Sequence, residues 1–344
     1  MHRLIKPNLG FFYGDNKLGL VDEYGNFKIQ LVSRNYMLNY SNMPLDRGSN
    51  ARKDPTWVDA KKTADSLWLL VKGNHTLFAN SSPEVVYLAY QQVAHLDLTQ
   101  AILLGANKQD NAVFALDVTE LEESLLATIV GDAQFADIRQ YGTQVALEDG
   151  SNAALARGLC YWHATHSFCG RCGTKNHLVE GGHSRLCDNA ACMHQTFPRT
   201  DPAVIMVVTK TFSDGIERCL LGRQATWPKG LYSSLAGFVD PGETLEQTVI
   251  REVKEEAGIT VEKAEYIASQ PWPFPSSIML GFIATASSDE ISTEQDELED
   301  ARWFSRQELA QFKDWQHEGE HLKLPRADSI SRYLIEYWRT QIEG

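Results

Sequence analysis

The segment from Gly237 to Ile259 constrains the fold more than any other part of the chain. A turn sequence, Asp240-Pro-Gly-Glu243, is followed by a helix-capping pattern, Thr244-Leu-Glu-Gln247. Gly258 suits the end of a helix. Between these signals, apolar residues recur at helical spacing: Leu245, Val249, Ile250, Val253 and Ala257. The sequence therefore predicts a tight turn that leads into one amphipathic helix from about 245 to 257 with a buried apolar face.

A second face of this helix carries three glutamates. Glu252, Glu255 and Glu256 stand at i, i+3 and i+4, where like charges repel one another and lower helix stability. The cluster becomes favourable if a hard divalent cation binds it, because Mg²⁺ and Mn²⁺ prefer carboxylate oxygens and bridge to substrate phosphates. A plain solvated acidic face is the alternative. Arg251 cannot ligate a cation, so we expect it to pair with Glu243 or Glu255 and to fix the helix against the turn.

Four of the six cysteines fall within 24 positions. Cys169 and Cys172 form a Cys-x2-Cys pair followed by Gly173, and Cys187 and Cys192 form a Cys-x4-Cys pair. Zn²⁺ takes four such ligands in a tetrahedron. Since the N-terminus carries no secretion signal, a disulfide framework is not expected. The spacing predicts a structural zinc site. Four free buried thiols, or a nearby histidine in place of one cysteine, are the alternatives.

Composition excludes several classes of protein. A length of 344 residues predicts about two domains and a small insert. A hydrophobic fraction of 43% and a charged fraction of 22% exclude bulk disorder. The net charge of −13 argues against a long nucleic-acid track but allows a phosphate-bearing substrate beside a bound metal. No apolar run approaches the ~20 residues that span a bilayer. We therefore expect a cytoplasmic protein without a membrane partner.

The first half of the chain carries no catalytic motif. A capping pattern at Thr119-Glu-Leu-Glu122 predicts a helix that runs to about residue 129. A further helix is predicted at 153–164, ahead of the cysteines. Strands are predicted at 67–71, 85–90, 101–104 and 113–118, of which the last two form a hairpin. This pattern indicates an α+β domain whose function the sequence does not reveal.

A proline-rich run follows the glutamate helix. Ser269-Gln-Pro-Trp-Pro-Phe-Pro-Ser-Ser277 contains three prolines in five residues. Proline is excluded from helix interiors and central strands, so we predict a rigid loop over 270–277 that displays Trp272 and Phe274 for stacking on a flat base. A structural corner with both aromatic rings in the core is the alternative.

These motifs resemble those of a known family. Segment 237–259 fits the Nudix box, Gly-x5-Glu-x7-Arg-Glu-aliphatic-x-Glu-Glu-x-Gly-aliphatic, at every fixed position. The run 269–277 resembles the array that marks the NADH pyrophosphatase branch of the Nudix hydrolases. The resemblance implies an α/β protein with three parts: an N-terminal α+β, Nudix-like domain (1–155), a small zinc ribbon (156–198) and a C-terminal Nudix α/β/α sandwich (199–344).

The resemblance also implies a reaction. It is the hydrolysis of the pyrophosphate of NADH or NAD⁺ to nicotinamide mononucleotide and AMP, with Mg²⁺ or Mn²⁺ as the catalytic cofactor and Zn²⁺ as the structural one. The expected catalytic residues are Glu255, the preferred candidate to orient or deprotonate water, Glu256, which could share that role, and Arg251. The expected ligands of the catalytic metal are the backbone carbonyl of Ala236 and the side chains of Glu252, Glu256 and Glu297.

The substrate contacts are expected on the aromatic and proline-rich segments. Phe197 stands where the family commonly has Tyr, and Ser331 stands where Ala is usual. The expected substrate-binding residues are Phe197, Phe238, Gln270, Pro271, Trp272, Pro273, Phe274, Pro275, Ser276, Ser277 and Ser331. Expected partners are a small dinucleotide, NAD-capped RNA 5′ ends in a second hypothesis, and a second copy of the chain as a homodimer. A third hypothesis is a non-catalytic nucleotide sensor, although such modules usually lose box carboxylates and none is missing here.

Overall fold

The computed structural model describes residues 13–14, 17–18, 20–21, 27–28, 38–293 and 298–341. The chain divides into two compact units, Met1–Met37 and Leu38–Gly344. All the predicted site residues belong to the second unit, and of these Glu297 lies outside the described residues. In the described part of the first unit, β1 pairs with β2 and β3 with β4, both antiparallel. These strands are β1 (Tyr13–Gly14), β2 (Lys17–Leu18), β3 (Leu20–Val21) and β4 (Phe27–Lys28).

The second unit begins with a mixed sheet of six strands. They are β5 (Leu67–Lys72), β6 (His75–Phe78), β7 (Leu88–Ala89), β8 (Ile102–Ala106), β9 (Ala112–Asp117) and β10 (Gln134–Ala136). The order is β10-β6-β5-β9-β8, and β7 pairs with β5. β5 and β9 run parallel, whereas β8 and β9 are antiparallel. Near-continuous apolar strands such as Leu67–Lys72 are expected here, because both faces of the sheet are covered.

Helices cover both faces of this sheet. Short 3-10 turns occur at Ala51–Lys53, Gly142–Gln144 and Glu180–Gly182. The helices are α1 (Pro55–Ala60), α2 (Tyr90–Val93), α3 (Glu123–Val130), α4 (Ile138–Tyr141) and α5 (Leu147–Thr165). α5 packs Ala156 and Leu159 into one core, and α3 packs Leu126 into the other. The first half is thus the α+β domain that the sequence predicts.

Two local predictions in this domain are wrong. The predicted strand 85–90 is reduced to Leu88–Ala89, after which the chain turns directly into α2. The predicted capping box at 119–122 does not start a helix. Thr119 Oγ1 donates instead to Asp117 Oδ1 (2.5 Å) and accepts a hydrogen bond from the Gly73 backbone N–H (2.7 Å), so α3 begins only at Glu123. The predicted β8–β9 hairpin is confirmed.

A three-stranded antiparallel ribbon follows α5. Its strands are β11 (Asn176–Val179), β12 (Ser184–Cys187) and β13 (Gln195–Thr196), in that order. His183 Nε2 lies 2.7 Å from the carbonyl oxygen of Leu103, and His163 Nε2 lies 2.8 Å from that of Gly182. These contacts hold the ribbon against the first sheet and α5. The expected domain boundary at 155–156 lies inside α5.

The last part of the chain is a second mixed sheet of six strands. They are β14 (Asp201–Thr211), β15 (Glu217–Arg223), β16 (Leu235–Phe238), β17 (Val261–Trp272), β18 (Ser277–Ala286) and β19 (Asp300–Ser305). The order is β17-β18-β14-β15-β19, with β16 paired to β14. β14 and β18 run parallel, with Asp201 opposite Ser277.

Helices pack on both faces of this second sheet. They are α6 (Leu245–Ala257), α7 (Arg306–Leu309) and α8 (Ile330–Thr340). α6 packs Val249 and Val253 into the core on one face, and α8 packs Leu334 and Trp338 into the core on the other. The predicted α/β/α sandwich is confirmed. Within the described ranges, no helix combines the length and the apolar character that a membrane crossing requires.

Candidate active site and cysteine cluster

Helix α6 has the beginning and the end that the sequence predicts. Thr244 Oγ1 accepts a hydrogen bond from the Gln247 backbone N–H (3.3 Å), and Gln247 Oε1 accepts one from the Thr244 N–H (2.8 Å). This reciprocal capping box starts the helix. At the other end, Gly258 adopts a left-handed φ of 71° and donates its N–H to the carbonyl of Lys254. A Cβ there would also lie 2.9 Å from the Cβ of Ser292, so packing and backbone angle both favour glycine.

Arg251 joins α6 to the turn before it. Its Nε and Nη2 donate to the two carboxylate oxygens of Glu243 at 2.8 and 3.0 Å. Its Nη1 donates to Glu252 Oε1 (2.8 Å) and Glu255 Oε2 (3.0 Å), and its Nη2 also donates to the Phe238 carbonyl (3.0 Å). The two pairings predicted as alternatives therefore both form. Because Arg251 donates to its charged form, the pKa of Glu243 falls to about 2.

The three glutamates of α6 differ in exposure. Glu252 and Glu256 are buried, each with 9% of its surface exposed, whereas 53% of the Glu255 side chain is exposed. The Glu252 carboxylate packs directly on the backbone of Gly237 in β16, where a Cβ would lie 1.8 Å from Glu252 Cδ. The three glutamates therefore do not form the plain solvated face that the sequence left open as the alternative, because Glu252 and Glu256 are buried.

The carboxylates of Glu252 and Glu256 are the type of ligand that a hard divalent cation takes. Glu252 and Glu256 stand one helical turn apart, and carboxylate oxygens are the ligands that Mg²⁺ and Mn²⁺ prefer. Ala236, the expected backbone ligand, directly precedes the glycine on which Glu252 packs. Glu297, the fourth expected ligand, lies outside the described residues. Within the described ranges, the only group of three or more potential metal ligands whose donor atoms converge is the cysteine cluster.

The four predicted cysteines come together at one end of the ribbon. Their sulfurs all lie within 4.8 Å of one another, and none forms a disulfide. Backbone N–H groups of Arg171 and Asn189 each lie 3.4 Å from a cysteine sulfur. Four convergent thiols with donated N–H groups fit tetrahedral Zn²⁺. His194 Nδ1 lies 3.7 Å from Cys169 Sγ, so it is a histidine beside the cluster.

The proline-rich run is not the loop that the sequence predicts. β17 continues through Gln270, Pro271 and Trp272, which pair with β18, and only residues 273–276 form the turn. The expectation was wrong because β17 is an edge strand. An edge strand tolerates proline, since one of its sides has no neighbouring strand to which it must donate.

Phe274 at this turn packs on the N-terminal domain. The guanidinium carbons of Arg157 and Arg139 lie 4.7 and 4.9 Å from the centroid of its ring. The ring of Tyr40 meets it edge-on at 5.4 Å, and Arg157 Nη1 donates to the Pro273 carbonyl oxygen. Trp272 is partly buried against the same core. These contacts match the structural corner that the sequence left open as the alternative to a base-stacking loop.

Two expected substrate contacts are buried parts of the framework. Gln270 has 0% of its surface exposed: its Nε2 donates to the carbonyls of Asn39 (3.0 Å) and Asp328 (2.8 Å), and its Oε1 accepts from the Ile330 N–H (2.8 Å). Ser331 is 4% exposed, and its Oγ bonds the Ser234 N–H at 3.0 Å. The expectation that these two side chains face substrate is corrected, because their hydrogen-bonding groups are taken up inside the protein.

The remaining expected contacts lie at the surface. Phe197 and Phe238 are large exposed aromatics, with 62% and 59% of their surfaces accessible. Ser276 Oγ donates to Asp201 Oδ2 at 2.9 Å, which fixes the turn to the start of β14. Pro271, Pro273, Pro275, Ser276 and Ser277 line a cavity of about 410 Å³.

Sequence reasoning missed the residues that hold this turn. Arg139 and Arg157 lie in the N-terminal domain and reach Phe274 over more than a hundred positions of chain; the Arg157–Pro273 separation is 116. Asp137 anchors Arg139 at 2.6 Å. In the sequence, Arg139 and Arg157 are two arginines in otherwise apolar or weakly charged segments. Nothing in those segments indicates which residue each arginine contacts.

Three family models match consecutive parts of the chain. They are an NADH pyrophosphatase-like rudimentary NUDIX domain at 65–162, an NADH pyrophosphatase zinc ribbon domain at 164–197 and a NUDIX domain at 199–324. They follow the order of the three parts that the sequence predicts. The first two descriptions name the NADH pyrophosphatase group, in agreement with the motif at 269–277.

Several curated proteins are similar to the chain. The NAD-capped RNA hydrolase NUDT12 of Homo sapiens is 41% identical over 201 residues, which are 57% of this chain and 43% of that protein. The chain therefore matches less than half of the human protein's length. The NAD-capped RNA hydrolase of Schizosaccharomyces pombe is 38% identical over 249 residues, 67% of this chain and 65% of that protein. The NAD-capped RNA hydrolase NudC of Mycobacterium bovis is 35% identical over 303 residues, 87% of this chain and 93% of that protein. With this coverage and the matching domains, the chain belongs to the Nudix hydrolases of the NADH pyrophosphatase type.

Proposed function

We propose that this protein hydrolyses the pyrophosphate linkage of NADH or NAD⁺, releasing nicotinamide mononucleotide and AMP. The observation that carries the proposal is the placement of Glu252, which packs on the bare backbone of Gly237 and receives a hydrogen bond from Arg251. This arrangement holds a carboxylate at the junction of β16 and α6. The family match supports the choice of reaction.

The charged residues of helix α6 have proposed roles in binding metal, accepting a proton and positioning the carboxylates. Glu252 and Glu256, with the Ala236 carbonyl and Glu297, would hold Mg²⁺ or Mn²⁺. When bound, such cations neutralise the charge of a diphosphate and lower the pKa of a water ligand. Glu255, whose side chain is 53% exposed and pairs with Arg251 through Oε2, would accept a proton from the attacking water. Arg251 positions the carboxylates and does not itself need to touch substrate.

Phe197 and Phe238 are proposed substrate contacts, since both rings are exposed and can stack on a base. The cysteine cluster is proposed to hold a structural Zn²⁺. We further propose a homodimer, and a division into domains near residues 155 and 198.

Removal of NAD caps from RNA 5′ ends is a second candidate function. It is favoured by the names of the relatives, which are NAD-capped RNA hydrolases. The bond cleaved is the same. The net charge of −13 favours a site that accepts a terminal nucleotide over one that tracks a long RNA.

A substrate panel tests both candidates. Purified protein is assayed with Mg²⁺ or Mn²⁺ on NADH, NAD⁺, ADP-ribose and NAD-capped RNA, and the products are resolved by chromatography. We expect nicotinamide mononucleotide and AMP from NADH, and a loss of at least about a hundredfold in turnover for Glu256→Gln with an unchanged Tm. Glu246→Gln, an exposed position on the same helix, is the matched control and should retain activity.

Two outcomes would contradict the proposal. Near-wild-type turnover by a folded Glu256→Gln variant would remove Glu256 from the metal site. Tight binding of dinucleotides without hydrolysis of any substrate on the panel would instead identify a nucleotide sensor. The ratio of kcat/KM on NADH to that on NAD-capped RNA decides between the two enzyme candidates.

A further inference from the structure

The segment that forms the ribbon differs in charge from the rest of the protein. Residues 164–199 contain four arginines and lysines and two carboxylates, in a chain whose net charge is −13. Both carboxylates already have partners. Asp188 Oδ1 lies 2.5 Å from His177 Nδ1, and Glu180 Oε1 accepts a hydrogen bond from Gln195 Nε2 at 3.0 Å. The acids of this segment therefore do not neutralise its cations.

Arg171 and Lys175 are the exposed cations of the first cysteine turn, residues 168–175. Within the described ranges, neither side chain forms an ion pair. The other two cations of the segment differ, because Arg185 is buried and Arg199 forms an ion pair with the start of β14. Two unpaired positive charges on one small turn of an acidic protein can bind about two phosphates.

Phe168 lies directly beside Lys175 on this turn. The two residues form an antiparallel bridge with a hydrogen bond on either side of it, one of them from the Cys169 N–H to the Thr174 carbonyl (2.8 Å). Because these bonds flank the pair and do not join it, this is the narrow type of pair, whose side chains lie on one face and close together. The Phe168 ring is 66% exposed. An exposed flat ring beside a positive charge suits single-stranded nucleic acid, whose bases stack on rings and whose phosphates bind cations.

The first cysteine turn is connected to the Nudix sheet by a continuous surface. His166, two positions before Phe168, borders a cavity of about 280 Å³ together with Asp201 at the start of β14. Two residues further along β14, Ala203 pairs with Phe238, the exposed ring proposed above to stack on a base. The start of β14 and the end of α5 therefore connect the two exposed rings.

We propose that Phe168, Arg171 and Lys175 form a binding surface for single-stranded RNA, downstream of the nucleotide that enters the Nudix site. A base stacks on the Phe168 ring, and two phosphates of the chain lie against Arg171 and Lys175. The choice of RNA rests on the second candidate function, the removal of NAD caps. The surface shares no residue with the catalytic site or with the proposed base contacts. A contact of about two phosphates suits a protein whose net charge opposes a long RNA track.

Fluorescence anisotropy with an uncapped RNA tests the surface independently of hydrolysis. The probe is a single-stranded RNA of about twelve nucleotides with a 5′ monophosphate and a 3′ fluorophore, titrated with the full-length protein without added divalent cation. We expect Phe168→Ala to weaken binding by about fivefold or more. Arg171→Ala and Lys175→Met should each reduce the slope of log Kd against log salt concentration by about 0.7. Tyr266→Ala and Lys108→Met, which change another exposed ring and another exposed lysine, are the matched controls and should leave binding unchanged.

Hydrolysis supplies a second measurement. Phe168→Ala should lower kcat/KM on NAD-capped RNA by a similar factor and leave kcat/KM on NADH unchanged, because NADH has no nucleotides beyond the cap. Zinc content and Tm are measured for each variant to show that the ribbon is folded. Arg171→Ala and Lys175→Met change exposed side chains, so they test the surface even if Phe168→Ala disturbs the turn.

Four outcomes would overturn the proposal. They are failure of the wild type to bind the uncapped RNA, binding that none of the three variants weakens, an equal loss of kcat/KM on NADH and on NAD-capped RNA in Phe168→Ala, and a loss of RNA binding together with a fall in mass by sedimentation. The last outcome would place Phe168 in a contact between two copies of the chain. Binding of uncapped RNA that depends on Phe168, in a protein that hydrolyses neither substrate, supports the surface and refutes only the proposed function.

Discussion

The carboxylate of Glu252 lies against the Cα of Gly237, with no room for a side chain between them. A Cβ at position 237 would lie 1.8 Å from Glu252 Cδ and 2.0 Å from its Oε1. The glycine of the box is thus required by the glutamate that follows it fifteen positions later on α6. The contact joins β16, which carries the Ala236 carbonyl, to the helix that carries the buried carboxylates.

Gly237→Ala should therefore inactivate the enzyme while leaving most of the fold intact. The new methyl group must displace the Glu252 carboxylate, and a misplacement of about 1 Å at a catalytic centre can cost roughly a hundredfold in rate. We expect a fall in kcat/KM on NADH of about that size, measured beside Tm. Gly150→Ala in α5 is the control, because its added Cβ would meet only ordinary contacts at 3.8 Å or more. Full activity in a folded Gly237→Ala protein would show that Glu252 need not occupy this position.

Glu243 should contribute to the free energy of unfolding at neutral pH and lose this contribution in acid. Its pKa is lowered from 4.5 to about 2 by the hydrogen bonds from Arg251. A group whose pKa is depressed in the folded state stabilises the fold above its unfolded pKa and loses that contribution as the pH falls towards the folded value. Wild-type stability should therefore decline between about pH 4.5 and 2, and Glu243→Gln should lack this part of the decline.

Denaturant unfolding at a series of pH values measures this effect. Glu246→Gln serves as the control, because Glu246 is an exposed acid on the same helix. The expectation fails if the free energy of unfolding of Glu243→Gln falls with acid pH as steeply as that of the control and of the wild type.

Cys172→Ser should release zinc and destabilise the protein by several kcal/mol, because the binding of structural zinc contributes directly to folding. The four sulfurs already converge within 4.8 Å, so a hydroxyl in place of one thiolate leaves an incomplete site. Elemental analysis and chemical unfolding are the measurements. Cys219→Ser is not a suitable control because that thiol is buried in the core, whereas Arg171→Ala changes an exposed residue of the same turn. Pure wild-type protein without zinc would contradict the assignment.

Those parts of the site that depend on local sequence could be predicted. The capping box Thr244–Gln247, the glycine that ends α6 and the pairing of Arg251 all involve residues within one turn-and-helix segment. The cysteine cluster was predictable because the spacing of its ligands is itself the signal. In these cases the residues that form the contact are close together in the sequence, so their spacing alone predicts the local structure.

Contacts between distant segments could not be predicted. Gln270 looks like a substrate ligand in the sequence, but it joins Asn39, Asp328 and Ile330, which come from two other regions of the chain. Likewise, a proline-rich run suggests a loop until the sheet order makes β17 an edge strand. Thr119 Oγ1 donates a hydrogen bond to Asp117 and does not cap the start of a helix. Each outcome depends on a neighbour that no local pattern specifies.

Phe274 provides the sharpest test of the turn's role. Its ring contacts Arg157, Arg139 and Tyr40 of the N-terminal domain. Loss of this partly buried ring and of its cation–π contacts should lower the free energy of unfolding by about 2 kcal/mol in Phe274→Ala. Phe197→Ala is the matched control, because that ring is 62% exposed and its removal should cost little stability. Equilibrium unfolding compares the two variants.

A double-mutant cycle separates the packing role of Phe274 from base stacking. If the ring holds the turn against Arg157, Phe274→Ala and Arg157→Met should be non-additive by about 0.5–1.5 kcal/mol, since each removes the same contact. If the ring instead stacks on a base, Phe274→Ala should raise KM for NADH by about tenfold or more and leave Tm unchanged. The contacts of Phe274 with Arg157, Arg139 and Tyr40 favour the first result. An unchanged Tm with additive effects would return Phe274 to the substrate site.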